Sequence, residues 1–159
     1  SLIEEHGVER VVVATTEAAR QAENAREFLE RVRALGYEIE ILNDREEAEL
    51  VFRANLKAFS PEGKAMTVDL GGGSTEVVYG SREGIELLKS LKFGVVFLQE
   101  RFIKSAPPTR GELAAMEEFV RGQLLPIKEK VGKSDFEVFA VGGTITSVVA
   151  MEEKMEVYD

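Results

Sequence analysis

The sequence predicts an α/β protein, and three observations support that class. Short apolar runs bounded by turn residues recur along the chain and are typical of buried strands. Segments with apolar side chains at helical spacing alternate with these runs over the first third of the chain. Beyond a Ser-Pro-Glu-Gly turn at residues 60–63, three strand patterns follow one another without an intervening helix. The chain is therefore expected to contain two differently organised α/β parts.

The first part is predicted to run strand, helix, strand, helix. The apolar run at 11–14 predicts a buried strand over about 8–14, and Gly36 ends a helix whose apolar positions recur from 25 to 35. Alternating apolar and acidic residues at 37–42 predict a strand with one wet face. Apolar spacing from Ala48 to Phe59 predicts the second helix.

The second part is predicted to begin with strands at about 65–70, 75–79 and 85–93, followed by a helix near 95–104. Two prolines at 107–108 then interrupt the chain. Thr109 and Glu112 have the spacing of a capping box, which starts a long amphipathic helix that Pro126 is expected to kink. A strand at 136–141 and a final helix through Val149 complete the pattern.

Composition narrows the class of function. The chain has 159 residues, a formal net charge of −9, no cysteine and one histidine. These counts exclude disulfides, thiolate chemistry and a His-rich zinc site, and the negative charge argues against a nucleic-acid partner. No apolar run approaches the roughly 20 residues that span a bilayer, and no secretory signal is visible. We expect a cytoplasmic protein with no membrane partner.

The stretch from Asp69 to Glu76 is the strongest candidate site. Three glycines, Gly71, Gly72 and Gly73, have no side chains to block an anionic oxygen from their backbone N–H groups. The hydroxyls of Ser74 and Thr75 can add donors, and the flanking carboxylates could hold Mg²⁺ directly or through water. The stretch matches neither the Walker loop nor the dinucleotide fingerprint. The alternative is a tight β-hairpin whose glycines supply positive φ angles.

A second motif weakly repeats this pattern. Gly142, Gly143 and Thr144 also follow an apolar strand, but here they open a helix, whose N-terminal N–H groups favour an anion. Close packing of the helix against the strand explains the two glycines equally well. Phosphate binding and packing both remain open for this motif.

Together these blocks resemble a known family. The order β-β-β-α…β-α with a glycine-rich hairpin resembles one half of an actin-like (ribonuclease H-like) ATPase fold. The local sequences resemble the exopolyphosphatase/guanosine pentaphosphate phosphatase family (Ppx/GppA) in order and spacing. The blocks that carry the likeness are residues 14–20, Asn24, 44–48, 69–76, 90–94 and 141–144. The resemblance implies an incomplete first domain over 1–62 (β-α-β-α) and a nearly complete second domain with a mixed sheet over 63–159 (β-β-β-α-α-β-α).

The resemblance also implies an activity. Family members hydrolyse terminal phosphoanhydrides of inorganic polyphosphate, guanosine pentaphosphate or both, with Mg²⁺. By position, Asp69 and Glu76 correspond to the metal-associated carboxylates, and Glu47 to the catalytic carboxylate that positions or activates water. Arg20 corresponds to a cleft arginine. The phosphate-binding positions are Gly71, Gly72, Gly73, Ser74, Thr75, Gly142, Gly143 and Thr144.

The two catalytic assignments have plain alternatives. Glu47 begins a helix, where a carboxylate can aim water at phosphorus but is also stabilised by the helix dipole in any protein. Arg20 follows a buried strand and could clamp phosphate bidentately, or it could be a solvated helix-start residue. Asn43-Asp44-Arg45 replaces the family's usual Ser-Gly and could alter the electrostatics of the base or loosen the loop.

The resemblance also predicts what this portion does alone. Nothing before Val11 matches the family's first phosphate loop, so we expect an excised portion with little turnover. An exposed strand edge in the first 60 residues would favour a homodimer or aggregation. An ATPase or sugar kinase of the same fold is the alternative enzyme, and a non-catalytic alarmone or phosphate-binding module is the alternative class. The motifs contact phosphates rather than a base, so they do not choose between polyphosphate and guanosine pentaphosphate.

Overall fold

A computed structural model describes residues 2–16, 19 and 22–156 of the chain. The described chain forms two compact units, Ser1–Glu47 and Ala48–Asp159. The division falls within a helix, because the residues of that helix from Ala48 onward pack with the second unit. The predicted domain boundary between residues 62 and 63 stays a prediction for the organisation of the whole protein.

The first unit is a small α/β arrangement. Its elements are α1 (Leu2–Glu5), β1 (Val13–Thr15), α2 (Ala25–Ala34) and β2 (Ile39–Ile41). The two strands pair in parallel, with Val13 opposite Ile39. Strand β1 is shorter than the predicted 8–14, because only three of its residues pair with β2; Val12 is 64% exposed. Gly36, at φ +87°, ends the first long helix as predicted.

The second unit is built on a four-stranded mixed sheet. Its strands are β3 (Lys64–Leu70), β4 (Thr75–Ser81), β5 (Gly84–Leu91) and β6 (Phe136–Val141), in the order β5-β4-β3-β6. β3, β4 and β5 are antiparallel neighbours, whereas β6 runs parallel to β3. The predicted antiparallel pairing of the first two strands through the glycine-rich turn is confirmed, and so is the mixed sheet.

Helices cover both faces of this sheet. Helix α3 (Asp44–Phe59) places Ala48, Phe52 and Leu56, spaced four residues apart, on the face that presents Val78. Helix α5 (Arg110–Val131) packs Ile127 and Val131 on the opposite face. The alternation of side chains along β4 explains the two cores, because successive residues of a strand point to opposite faces.

The long helix begins at the predicted capping box. The Thr109 hydroxyl accepts from the Glu112 amide, and the Thr109 amide donates to the Glu112 carboxylate at 2.7 Å. Hydrogen bonds from Ser105, Thr109 and Lys104 lower the pKa of Glu112 to about 2. The helix continues through Pro126 to Val131.

Two shorter helices complete the second unit, α4 (Val95–Phe102) and α6 (Gly143–Glu152). Within residues 2–16, 19 and 22–156, no helix has the length and apolar character needed to cross a membrane.

Candidate active site

The two glycine motifs meet at one end of the mixed sheet. β3 and β6 are parallel neighbours with Asp69 opposite Val141, so the turns that follow them start side by side. Gly142, at φ +100°, lies so close that a Cβ there would be 2.7 Å from the Leu70 carbonyl oxygen and 3.1 Å from Asp69 Oδ1. Its glycine is therefore required both by backbone conformation and by close approach.

The first glycine turn is held from behind by the start of α4. The amides of Val95 and Val96 donate to the carbonyls of Gly71 and Gly72 at 3.0 and 2.9 Å. Gly94 packs so tightly that a Cβ there would be 2.4 Å from the carbonyl oxygens of both turn glycines. The N-terminal amides of α4 therefore donate to the turn and are not available to a ligand. A ligand at this end of the sheet would contact the turn itself.

The same contacts set the direction of the turn amides. Among the described residues only the Ala106–Pro107 bond is cis, so the peptide bonds that join Gly71, Gly72 and Gly73 are trans. In a trans peptide the carbonyl and the following N–H point in opposite directions. The carbonyls of Gly71 and Gly72 point towards α4, and the amides of Gly72 and Gly73 therefore point away from it. Within the described part of the chain neither amide has a hydrogen-bond partner.

The hairpin alternative does not explain these glycines. None of the three turn glycines has a positive φ angle. A Cβ at Gly71 would be 3.2 Å from the Ser74 carbonyl oxygen, whereas a Cβ at Gly73 would meet nothing within 4 Å. The fold itself therefore does not require glycine at position 73, and an open approach to the amides remains as its physical use.

Two carboxylates lie beside this turn. Asp69 and Glu76 are directly opposite each other across β3 and β4, so their side chains project from the same face of the sheet. Burial raises the pKa of the Asp69 carboxyl, which has no hydrogen-bond or ion-pair partner among the described residues. Glu76 accepts a hydrogen bond from Ser90 Oγ at 2.9 Å.

These two carboxylates suit a hydrated Mg²⁺ ion better than a metal ion that is held only by protein side chains. The described residues hold no cluster of three or more His, Cys, Asp or Glu side chains that could bind a metal. Mg²⁺ commonly takes one or two carboxylates and completes its shell with water and substrate phosphates. A half-buried, unpartnered Asp69 opposite Glu76 supplies that donor set.

The hydroxyls of the first motif have different surroundings. Thr75 is buried, and its hydroxyl donates to the Phe93 carbonyl at 2.7 Å. Because a hydroxyl has one proton, Thr75 in this structure fixes the turn to the α4 linker. Ser74 is half-buried, and its carbonyl accepts from the Gly71 amide at 3.1 Å.

The second motif opens helix α6 as predicted. Gly142 is its N-cap and supplies no side-chain hydrogen bond to the first amides of the helix. Gly143 is exposed with open space at its Cβ position, and Thr144 is half-buried. Packing therefore explains Gly142 but not Gly143, and the start of α6 lies beside Asp69.

Glu47 lies in the first turn of α3 as predicted, and it is half-buried. Asn43 caps this helix: its Oδ1 accepts from the amides of Arg45 and Glu46 at 3.0 Å, and its own amide donates to Glu46 Oε2 at 2.8 Å. Asn43, one of the residues that replace the family's Ser-Gly, therefore caps the helix, and the effect of the replacement on the loop and on the base stays a prediction. Glu47 belongs to the first compact unit, and Arg20 lies outside the described residues.

The structure adds two residues that sequence reasoning assigned no role. Ser90 contacts Glu76, and Gly94 supports the glycine turn. Both lie within the 90–94 block that resembles the family, but a single sequence does not reveal which distant residues they touch. The sequence therefore indicates this block but not the contacts that its residues make.

The second unit is thus an α/β structure in which two glycine turns and a carboxylate pair meet at one end of a mixed sheet. The chain belongs to the Ppx/GppA phosphatase family, whose model matches residues 1–159.

Two named proteins and one crystal structure illustrate what the chain is similar to. The chain is 34% identical over 162 aligned residues to exopolyphosphatase 2 of Mycobacterium tuberculosis, covering 97% of this chain and 50% of that protein. It is 32% identical over 148 residues to the guanosine-5'-triphosphate,3'-diphosphate pyrophosphatase of Vibrio vulnificus, covering 92% and 29%. A crystal structure of the Aquifex aeolicus Ppx/GppA family member has a TM-score of 0.84 at 41% identity, covering 99% and 51%. The chain thus spans about half or less of these relatives, and the predicted family and fold are confirmed.

Proposed function

We propose that the intact protein hydrolyses terminal phosphoanhydride bonds by water attack, with Mg²⁺ as cofactor. Inorganic polyphosphate and guanosine pentaphosphate are the two candidate substrates. Relatives named for one or the other substrate class support both candidates. We also propose a cytoplasmic homodimer that binds neither nucleic acid nor membranes.

One observation carries the proposal. The amides of Gly72 and Gly73 point away from α4 without partners, beside the opposed carboxylates of Asp69 and Glu76. Paired backbone amides form an anion-binding concavity, and the adjacent carboxylates suit a hydrated divalent cation. A phosphate and its cation would therefore be held at the same end of the sheet.

The protein's own groups would then do the positioning on which phosphoryl transfer mainly depends. Gly72, Gly73 and the start of α6 at Gly143 would donate to phosphate oxygens. Asp69 and Glu76 would hold Mg²⁺, which supplies charge neutralisation on the phosphate when it is bound. On the resemblance alone, Glu47 would orient the attacking water, and Arg20 would clamp phosphate.

The proposal is tested by phosphate release from the intact protein. Polyphosphate, guanosine pentaphosphate and ATP are each supplied with Mg²⁺, and free phosphate is measured over time. We expect release from at least one of the first two substrates in the absence of ATP. Activity that requires ATP would favour the kinase or ATPase alternative. Tight binding of either polyanion without turnover would favour the non-catalytic module.

The first glycine turn provides a structural test of the same site. Gly73→Ala should leave the melting temperature unchanged or slightly higher, because its Cβ meets nothing within 4 Å and its φ is not positive. The added methyl group crowds the amide, so KM should rise about tenfold, which corresponds to about 1.4 kcal/mol of binding. Gly63→Ala, at another exposed glycine with open space, is the matched control. Equal kinetics for the two variants would remove Gly73 from the site.

A further inference from the structure

Ser90 lies beside the carboxylate pair, on the third strand of the sheet. The strand register places Asp69 opposite Glu76 and Glu76 opposite Ser90. Directly opposite residues of antiparallel strands project to the same face, with Cβ atoms about 4.5–5.5 Å apart. The three side chains therefore form one row across β3, β4 and β5, next to the glycine turn.

The contact within this row is directional. Ser90 Oγ lies 2.9 Å from Glu76 Oε1, and both side chains are half-buried. An ionised carboxylate can only accept, so the serine hydroxyl is the donor. Within the described part of the chain, Oε2 of Glu76 has no partner. One oxygen of the carboxylate is thus held, and the other is left for a ligand.

We propose that Ser90 is a positioning residue for the metal-binding carboxylate of this hydrolase. Its hydroxyl holds the Glu76 side chain in one orientation and keeps the second oxygen available to a divalent cation shared with Asp69. The inference rests on the proposed function, because the cation and its role are part of that proposal. Outer-shell partners of this kind typically change metal affinity or activity by about 10- to 100-fold when they are removed.

If the hydrogen bond from Ser90 to Glu76 only stabilises the sheet, its removal should have a different effect. A cross-strand polar pair contributes about 0.2–1 kcal/mol to a sheet, wherever in the sheet it lies. Ser81 supplies a control for loss of a serine hydroxyl, since it also donates to a glutamate, Glu83, but within the exposed turn at the other end of β4. If Ser90 only stabilises the pairing of β4 with β5, removing its hydroxyl should have a small effect on melting and, like removal of the Ser81 hydroxyl, none on the metal.

The experiment measures Mn²⁺ binding directly, by electron paramagnetic resonance, in the intact protein and its Ser90→Ala, Ser90→Thr and Ser81→Ala variants. Ser90→Ala should bind Mn²⁺ about 10- to 100-fold more weakly. Its Mg²⁺ requirement for phosphate release should rise in parallel, with most of kcat recovered at saturating Mg²⁺. Ser90→Thr keeps the hydroxyl on a residue that suits strands and should restore binding. Ser81→Ala should match the wild type.

The outcomes separate this inference from the proposed function. Wild-type Mn²⁺ binding by Ser90→Ala, or failure of Ser90→Thr to restore it, would overturn the role of Ser90. Glu76→Gln is measured alongside. If Glu76→Gln loses Mn²⁺ while Ser90→Ala does not, only the role of Ser90 is wrong. If Glu76→Gln also binds Mn²⁺ normally, the carboxylate pair is not the metal site, and the proposed function loses its basis.

Discussion

Phosphate release by the intact protein is expected to fall about 100-fold or more when Asp69 is replaced by asparagine. A metal ion supplies several kcal/mol of transition-state stabilisation, and each 1.36 kcal/mol is about tenfold in rate. Asparagine keeps the shape of the side chain but removes the charge that holds the cation. Rates measured across a magnesium titration check this, and an unchanged titration curve would remove Asp69 from the site.

The same substitution should stabilise the metal-free protein at pH 7. Burial raises the pKa of Asp69 in the folded chain above its ordinary value of 3.8, so the cost of ionising it in the fold appears as the pH rises above that ordinary value and is complete once the pH exceeds the raised pKa. The neutral asparagine avoids this cost. The melting temperature of Asp69→Asn in chelator should exceed that of the wild type at pH 7, and the difference should vanish below about pH 4.

Added Mg²⁺ provides the control for that stability measurement. It should raise the melting temperature of the wild type and leave that of Asp69→Asn nearly unchanged, because a ligand stabilises only the state that binds it. If Asp69→Asn loses activity but is more stable than the wild type without metal, Asp69 serves function rather than folding. If Asp69→Asn instead melts lower than the wild type at pH 7, the carboxylate stabilises the fold and this account of it is wrong.

The second large effect is expected at Gly94. Gly94→Ala places a Cβ 2.4 Å from the carbonyl oxygens of Gly71 and Gly72, a contact that backbone atoms cannot relieve without moving. Overpacking of this kind typically costs on the order of 1–3 kcal/mol of unfolding free energy. The displaced turn would also misdirect the amides of Gly72 and Gly73. We therefore expect a lower melting temperature together with a loss of phosphate release.

The control for Gly94→Ala is Gly84→Ala. Gly84 is the first residue of β5, and a Cβ there meets nothing within 4 Å. Melting temperature and phosphate release are measured for both variants of the intact protein. Gly84→Ala should resemble the wild type. If Gly94→Ala melts lower yet retains full activity, α4 does not position the glycine turn for catalysis.

Local patterns predicted much of this fold. The hairpin from β3 to β4, the capping box of Thr109 and Glu112, and the helix end at Gly36 each depend on residues that are close in sequence. The opposition of Asp69 and Glu76 also follows locally, because a short turn between two strands sets their register. These features could be predicted because the residues that determine them are neighbours along the chain.

The remaining features depend on contacts between distant segments. Ser90 meets Glu76 only through the pairing of β4 with β5, and Gly94 supports the turn only because α4 packs behind it. The start of α3 at Asp44 is different: Asn43 and Glu46 have the spacing of a helix cap, but the apolar spacing that predicts the helix begins only at Ala48. Strand β1 was predicted too long, because an apolar run does not reveal how many of its residues find a partner strand.

The proposed function requires a phosphate group to bind at the two glycine turns. It is tested most directly by following the backbone amide signals of the isotopically labelled intact protein by NMR while pyrophosphate is added with Mg²⁺. We expect the amide signals of Gly72, Gly73, Gly143 and Thr144 to shift together along a single saturation curve. Asp69→Asn should raise the pyrophosphate concentration needed to reach half saturation. Saturable shifts confined to other parts of the protein, with these four amides unmoved, would contradict it.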